Sequence, residues 1–271
     1  MAETTMESPS YTRSKSVRPV APYIGGKRAL AKRLVERINA VPHTLYAEPF
    51  VGMGGVFLRR DRRPEAEIIN DWSQDVVTLF RILQRHYQSF LEELKWRLSS
   101  RAEFDRLLKQ DPDTLTDLER AARFLYLQRS AFGGKVAGRN FGVDRAAGAR
   151  FNLTKLVPLL EDVHDRLAGV VIERLPFDRF IAKYDTPTSL FYLDPPYWGC
   201  EGDYGAGLFA REDFARLADQ LAGIKGGFIL SINDRPEVRA LFGRFQMEPV
   251  ELFYTVSGRP TEARELIISN R

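Results

Sequence analysis

Residues 190–197 read Leu-Phe-Tyr-Leu-Asp-Pro-Pro-Tyr, an apolar run that meets an acid, two prolines and an aromatic ring. Proline gives no N–H to a ladder, so a strand over residues 189–194 ends there and delivers Asp194 to the carboxyl edge of its sheet. In open α/β sheets that edge is where ligands bind. The plain alternative is a strand followed by a Pro-rich turn and a core tyrosine. Acid, proline, proline and aromatic ring in that order at a strand end are rare by chance, which favours a site.

Working outward, residues 44–50 read as a strand broken by Gly52, Gly54 and Gly55, with a helix expected to start inside the glycine cluster. Residues 67–72 form the next expected strand, and Ser73 is placed to cap a helix carrying Val76, Val77, Phe80 and Leu83. Residues 27–41 show a helical apolar stripe at Leu30, Leu34, Val35, Ile38 and Val41. Strand patterns return at 170–175, 227–233, 250–256 and 265–269, with helical patterns at 212–224 and 236–242 and a turn-like Ser257-Gly258-Arg259-Pro260. The alternation implies a parallel sheet with helical crossovers.

Between residues 84 and 168 helical periodicity dominates. Phe90, Leu91, Leu94 and Leu98 form one stripe, Thr116-x-x-Glu119 reads as a capping box, and Pro158 fits the first turn of a helix that Gly169 would close. Residues 129–150 hold five glycines, five basic residues and one acid, Asp144. The expected organisation is a disordered tail over 1–19, an α/β domain built from 20–83 and 169–271, and a mostly helical insertion over 84–168.

Composition narrows the function classes. A formal net charge of +4 agrees with a nucleic-acid partner without requiring one. The single cysteine, Cys200, forms no intrachain disulfide, and His43, His86 and His164 lack metal-ligand spacing, so no metal site and a reducing, cytoplasmic setting are expected. No stretch approaches the ~20 apolar residues of a membrane-spanning helix, and the first 20 residues lack the apolar core of a signal peptide.

The glycines after the first strand permit a tight turn and close backbone approach to a ligand, beside an expected helix N-terminus. Asp71 sits at the end of the next strand, where an acid can accept ribose hydroxyl protons or simply begin a helix. Glu48 faces the same edge. Gly25-Gly26-Lys27 is no phosphate loop, because Arg28 follows the lysine where Ser or Thr is needed.

Four segments in order resemble the Dam-type (D12 class) DNA adenine-N6 methyltransferases. Pro22-Tyr-Ile-Gly-Gly-Lys27 is similar to the family's Lys-Trp-x-Gly-Gly-Lys segment, with Pro22 and Tyr23 in place of lysine and tryptophan. Ala47-Glu-Pro-Phe-Val-Gly-Met-Gly-Gly-Val-Phe57 resembles the glycine-rich cofactor loop, Ile69-Asn-Asp71 the ribose-binding strand end, and Asp194-Pro195-Pro196-Tyr197 the catalytic tetrapeptide. The resemblance implies a Rossmann-like S-adenosylmethionine-dependent methyltransferase sheet carrying a helical target-recognition insertion. It places Tyr23 against the cofactor and Lys27 at its carboxylate, with Glu48, Phe50, Gly52, Gly54, Asp71 and Asp194 around it. It also places a cofactor-adenine contact near Phe177 and Asp178, residues that read equally as a core phenylalanine and a helix cap.

The chemistry agrees with that resemblance. The exocyclic amine of adenine is a poor nucleophile because its lone pair is delocalised into the ring. A carboxylate from Asp194 and the carbonyl of Pro195, accepting its two N–H bonds, would localise that pair toward an incoming methyl group, while Tyr197 offers a stacking face to an extruded base. Direct in-line transfer needs no thiolate, so Cys200 is a bystander. Cytosine-N4 or RNA-adenine methylation uses the same amine chemistry, and a catalytically idle nucleic-acid-binding protein is the alternative from another class.

Duplex DNA is the expected partner of a monomeric chain. Arg129, Lys135, Arg139, Asn140 and Arg150 are the candidate contacts, with Gln128 as a possible reader of an adenine edge. Taken singly, each reads better as a solvated surface residue; the segment as a unit reads as a DNA contact. Phe132 or Phe141 could fill the gap left by a flipped base or pack in the core, and Asn233 could line the base pocket or terminate its strand.

Overall fold

The computed structural model describes residues 9–142, 148–204, 207–256 and 259–270. The chain runs through β1 (Thr12–Arg13), α1 (Ala31–Ala40), β2 (Leu45–Glu48), β3 (Arg62–Arg63), β4 (Ala66–Asn70) and α2 (Gln74–Arg85). The helices α3 (Tyr87–Lys95), α4 (Arg101–Lys109), α5 (Asp117–Ser130) and α6 (Leu153–Arg166) follow. Then come β5 (Val171–Glu173), α7 (Phe177–Tyr184), β6 (Ser189–Leu193), α8 (Asp213–Ala222), β7 (Gly227–Asn233), α9 (Pro236–Leu241), β8 (Gln246–Val256) and β9 (Arg259–Ser269).

The seven-stranded sheet has the order β5-β4-β2-β6-β7-β9-β8. β5, β4, β2, β6 and β7 are mutually parallel, and β9 enters antiparallel between β7 and β8. From β2 the chain winds outward through β4 to β5, then returns to place β6 on the other side of β2. That reversal opens a crevice at the carboxyl ends of β2 and β6, the general position of ligands in such sheets.

Strand alternation sorts the side chains into two cores. Tyr46, Ile69, Leu190, Tyr192, Ile229 and Ile267 face one side, packed with α1, α2 and the helices that follow. Ala47, Ile68, Phe191, Leu193, Leu230 and Ile268 face the other, against α7, α8 and α9. Both faces are covered, so these strands are apolar at nearly every position. Phe90, Leu94, Phe104 and Leu125 of α3, α4 and α5 join the same core as Leu79 and Phe80 of α2. The capping box opens α5 as expected: Thr116 accepts from the Glu119 N–H while the Glu119 carboxylate accepts from the Thr116 N–H.

Beneath the first core lies an ion cluster. Glu67 accepts from Arg60 at 2.5 Å and from Arg166 at 2.7 and 2.8 Å, all three side chains being fully buried. Arg63 closes the cluster from its edge at 3.0 Å.

Several local expectations differ from the structure. No helix starts inside the glycine cluster: positive φ at Gly52 and Gly54 turns the chain, and only a short 3₁₀ turn forms at Phe57–Arg59. Pro158 lies inside α6, which begins earlier because Asn152 accepts from the Lys155 N–H and caps it. Leu98 falls beyond α3 and is exposed. Residues 9–19, expected in a disordered tail, are tied to the fold: β1 pairs with β3, and Val17 is buried and donates to the Leu58 carbonyl at 2.8 Å. Residues 1–8, Asp144, Arg145 and the Ser257-Gly258 turn lie outside the described residues.

Candidate active site

A cleft of about 600 Å³ opens at the carboxyl ends of β2, β4 and β6. Its floor is the turn after β2. Gly52 adopts φ +50°, and a Cβ there would meet the Tyr23 ring at 3.2 Å, so glycine lets the loop and the aromatic ring come together. The Gly52 N–H donates to Asp71 Oδ2 at 2.9 Å and the Ser73 N–H to Asp71 Oδ1 at 2.9 Å, so the acid at the end of β4 also shapes the loop. Burial pushes the Asp71 carboxyl up to about 6, against the pull of these backbone donors.

One wall is aromatic. Phe50, Phe177 and Phe209 have ring centroids 5.7 to 5.8 Å apart. Asp178, at the start of α7, lines the cleft and is paired with Arg216 at 2.9 Å.

Asp194 lies just past β6 and lines the same cleft with Pro196. Lys27 crosses to it: its Nζ is 2.7 Å from Asp194 Oδ1, donates to the Tyr197 hydroxyl at 2.7 Å, and stands 3.6 Å from Glu265 Oε2. The Tyr197 hydroxyl donates in turn to Glu265 Oε1 at 2.5 Å. Burial raises the Asp194 carboxyl to about 6; Lys27 opposes that rise and Glu265 adds to it. Asn233, at the end of β7, accepts from the Trp198 N–H at 2.9 Å and donates to the Trp198 carbonyl at 3.0 Å. It holds the backbone just beyond the tetrapeptide rather than lining the cleft.

Of the expected cofactor residues, Tyr23, Lys27, Phe50, Gly52, Asp71, Phe177, Asp178 and Asp194 line one cleft. Glu48 and Gly54 lie behind its wall. Glu48 is buried and accepts from Tyr46 Oη at 2.6 Å, with its carboxyl raised to about 8 by burial. A Cβ on Gly54 would strike Leu58 at 2.8 Å, so that glycine serves packing. Pro195 and Tyr197 also stand outside the cleft lining. Lys27 is only 1% exposed and directs its ammonium at Asp194, Tyr197 and Glu265.

The expected DNA contacts divide. An isolated bridge, Ala131 to Phe141, makes a hairpin-like loop after α5, and its Gly134 and Ala137 bond to Ile24 and Asp203 beside the cleft. Lys135 and Asn140 are exposed on it. Arg129 instead ties the Val20 and Arg150 carbonyls, Arg150 donates to the Ala131 carbonyl, and Arg139 to Gln128 Oε1 and the Lys135 carbonyl. Gln128 is fully buried and clamps the Pro22 and Gly134 carbonyls, so it is no base reader here. Phe141 packs on Phe104 at 5.4 Å, whereas Phe132 is 56% exposed.

Glu265 and Phe209 escaped the sequence reading. An acid opening the apolar run Leu-Ile-Ile was a signal for Glu265, because a buried carboxylate needs partners. Phe209 looked like any core aromatic. Among the described residues no group of three His, Cys, Asp or Glu could hold a metal, and no helix is long and apolar enough to cross a membrane.

Sheet order and crevice together define the class of fold, a Rossmann-like α/β sheet with a ligand cleft at its switch point. The chain belongs to the D12 class N6 adenine-specific DNA methyltransferase family, whose model matches residues 23–256. It is therefore an adenine-specific DNA methyltransferase. The type II methyltransferase M1.LlaDCHI of Lactococcus lactis subsp. cremoris is 26% identical over 94% of this chain and 96% of its own length. M.CviBI of Paramecium bursaria Chlorella virus NC1A is 24% identical, covering 83% of this chain and 86% of the relative. A DNA adenine methylase of Vibrio cholerae is 25% identical over 90% of this chain and 91% of the relative.

Proposed function

We propose that this methyltransferase acts on an adenine flipped out of duplex DNA, with Asp194 and the Pro195 carbonyl accepting the two N–H bonds of its amine. The observation that carries the reading is the position of Asp194: it leaves β6 at the point where the sheet reverses and lines one cleft with Asp71 and the aromatic wall. S-adenosylmethionine supplies an electrophilic methyl group on its sulfonium. The residues fit that cofactor. Asp71 offers an acid to ribose hydroxyls, Phe50, Phe177 and Phe209 offer apolar faces to an adenine ring, and Gly52 leaves room beside Tyr23.

Asp194 and Pro195 orient the amine lone pair for in-line displacement, and Tyr197, beside the cleft rather than in its lining, offers a face to the extruded base. Asp194 takes up the proton that the amine loses. Helices α3 to α6 and the hairpin over 131–142 serve target recognition, with Lys135 and Asn140 as exposed contacts and Phe132 as the side chain able to enter the stack. A monomer working site-specifically on cytoplasmic DNA completes the reading.

The test is transfer of labelled methyl from S-adenosylmethionine to mixed-sequence duplex DNA, followed by digestion to nucleosides. The expected product is N6-methyladenine confined to one sequence context, lost in Asp194→Ala with cofactor binding kept. Label on cytosine N4, label on RNA alone, or turnover retained in Asp194→Ala would overturn it.

A further inference from the structure

Lys27 holds one oxygen of the acid that the substrate amine is proposed to use. Its ammonium is 2.7 Å from Asp194 Oδ1, at the same carboxylate that the reading above assigns to the adenine N–H. Asp194 keeps its second oxygen for the amine, but an ammonium held at Oδ1 draws off the negative charge that has to polarise the amine. Lys27 is 1% exposed, so it cannot retreat into water, and an unpaired buried ammonium is strongly disfavoured.

A second carboxylate waits beside it. Glu265 lies on β9, 1% exposed, with Oε2 only 3.6 Å from the same ammonium. Its other oxygen accepts from Tyr197, which Lys27 also contacts, so a short swing of Lys27 exchanges one carboxylate for the other while keeping the phenol. The Lys27 ammonium also lies 4.4 Å from the centroid of the Tyr197 ring.

From this juxtaposition we infer that Glu265 is a positioning residue: it draws the Lys27 ammonium toward itself when the target amine arrives, leaving Asp194 the stronger acceptor for the amine. Glu265 touches neither substrate nor cofactor in this scheme. It acts through Lys27 and Tyr197, and the inference rests on the catalytic assignment of Asp194. No bond is made or broken in the exchange; one ammonium moves between two carboxylates.

Among the described residues, Lys27, Glu265, Glu48 and the Tyr192 phenol face Asp194, with the Tyr197 phenol bridging Lys27 and Glu265. Replacing Glu265 by the isosteric amide leaves Asp194 as the carboxylate partner of Lys27 among the described residues, so the ammonium binds Asp194 harder and weakens it as an acceptor. Repulsion from Glu265 is also lost. Both effects lower the Asp194 carboxyl, since Lys27 depresses it and Glu265 raises it.

The test measures kcat, KM for duplex DNA and the acid limb of kcat/KM in E265Q, E265D, Y197F and D194A of the full chain, with thermal unfolding and cofactor titration as folding checks. E265Q is expected to lose kcat by roughly 10- to 100-fold, the usual cost of losing a residue that orients a reacting one, with KM little changed. Its acid limb moves to lower pH; because lost repulsion alone gives that shift, the loss of kcat at little-changed KM beside it carries the inference. E265D, which keeps the charge, recovers part of the rate, and Y197F retains more activity than E265Q. An unchanged kcat in folded E265Q, or a slower E265Q whose limb stays in place, overturns the inference. Turnover in D194A instead overturns the catalytic assignment beneath it, so the two failures are distinguishable.

Discussion

Asn233 and Glu265 stand directly opposite each other in the antiparallel pairing of β7 and β9, and they grip consecutive residues. Glu265 accepts from the Tyr197 phenol and Asn233 closes two hydrogen bonds on the backbone of Trp198. One rung of the sheet therefore fixes the segment that leaves Asp194.

Asn233→Ala removes both bonds and leaves the half-buried Trp198 backbone groups without them. The expected cost is about 1–3 kcal/mol in chemical denaturation, with kcat falling more than cofactor affinity. Wild-type kcat in the folded variant would show that the clamp does not position the tetrapeptide.

The acid limb of activity follows from Asp194. Its carboxyl is raised to about 6, and it must be ionised to take up the proton that the amine loses. The kcat/KM for DNA in the free enzyme is expected to fall as pH drops through about 6, well above the usual aspartate range. A profile flat to pH 4.5 would contradict this.

Glu48 supplies a stability prediction of opposite sense to most carboxylates. Its folded pKa is raised from 4.5 to about 8, so its contribution is fully present below 4.5 and is lost as pH rises through about 8. Glu48→Gln keeps an acceptor for Tyr46 and removes the charge. The variant should gain stability over wild type progressively between those values, by on the order of a few kcal/mol at pH 9, and lose the advantage near pH 4. Thermal unfolding across pH measures it.

Removing the centre of the buried ion cluster leaves three arginines around a void. Glu67→Ala is expected to destabilise by about 3–5 kcal/mol, because the Arg60 and Arg166 guanidiniums stay buried without their carboxylate. Denaturant midpoints report this directly, and a loss under 1 kcal/mol would mean that the arginines find water or new partners.

Lys135 and Arg139 separate two roles that sequence alone merges. Lys135→Ala should reduce the salt slope of DNA binding by about 0.9 per lost phosphate contact without changing stability. Arg139→Ala should instead destabilise by about 1 kcal/mol through its bonds to Gln128 and the Lys135 carbonyl. Equal slopes for wild type and Lys135→Ala would return this lysine to the solvated surface.

Much of this was legible in the chain. The strands at the heart of the sheet announce themselves because both faces are covered, and apolar runs ending in Pro, Gly or an acid mark where each stops. The Thr116 cap was readable because its partners are three residues apart. Local rules failed where a remote partner decides. Val17 and β1 are held by residues 58 to 63, and the glycine cluster turns rather than opening a helix because its backbone answers to Asp71 and Tyr23.

By itself the sequence determined where the apolar strands run and the acid, proline, proline, aromatic order that places Asp194 at a strand end. These depend on neighbours a few residues apart, which composition and spacing encode. The tertiary structure alone decided the partners. Lys27 meets Asp194 and Glu265 across 167 and 238 positions of chain, and Arg129, Arg139 and Gln128 turn inward to satisfy carbonyls of distant segments. A side chain's charge is written in its letter. Whether that charge faces water, a phosphate or a buried carbonyl depends on which surfaces the sheet and helices bring together.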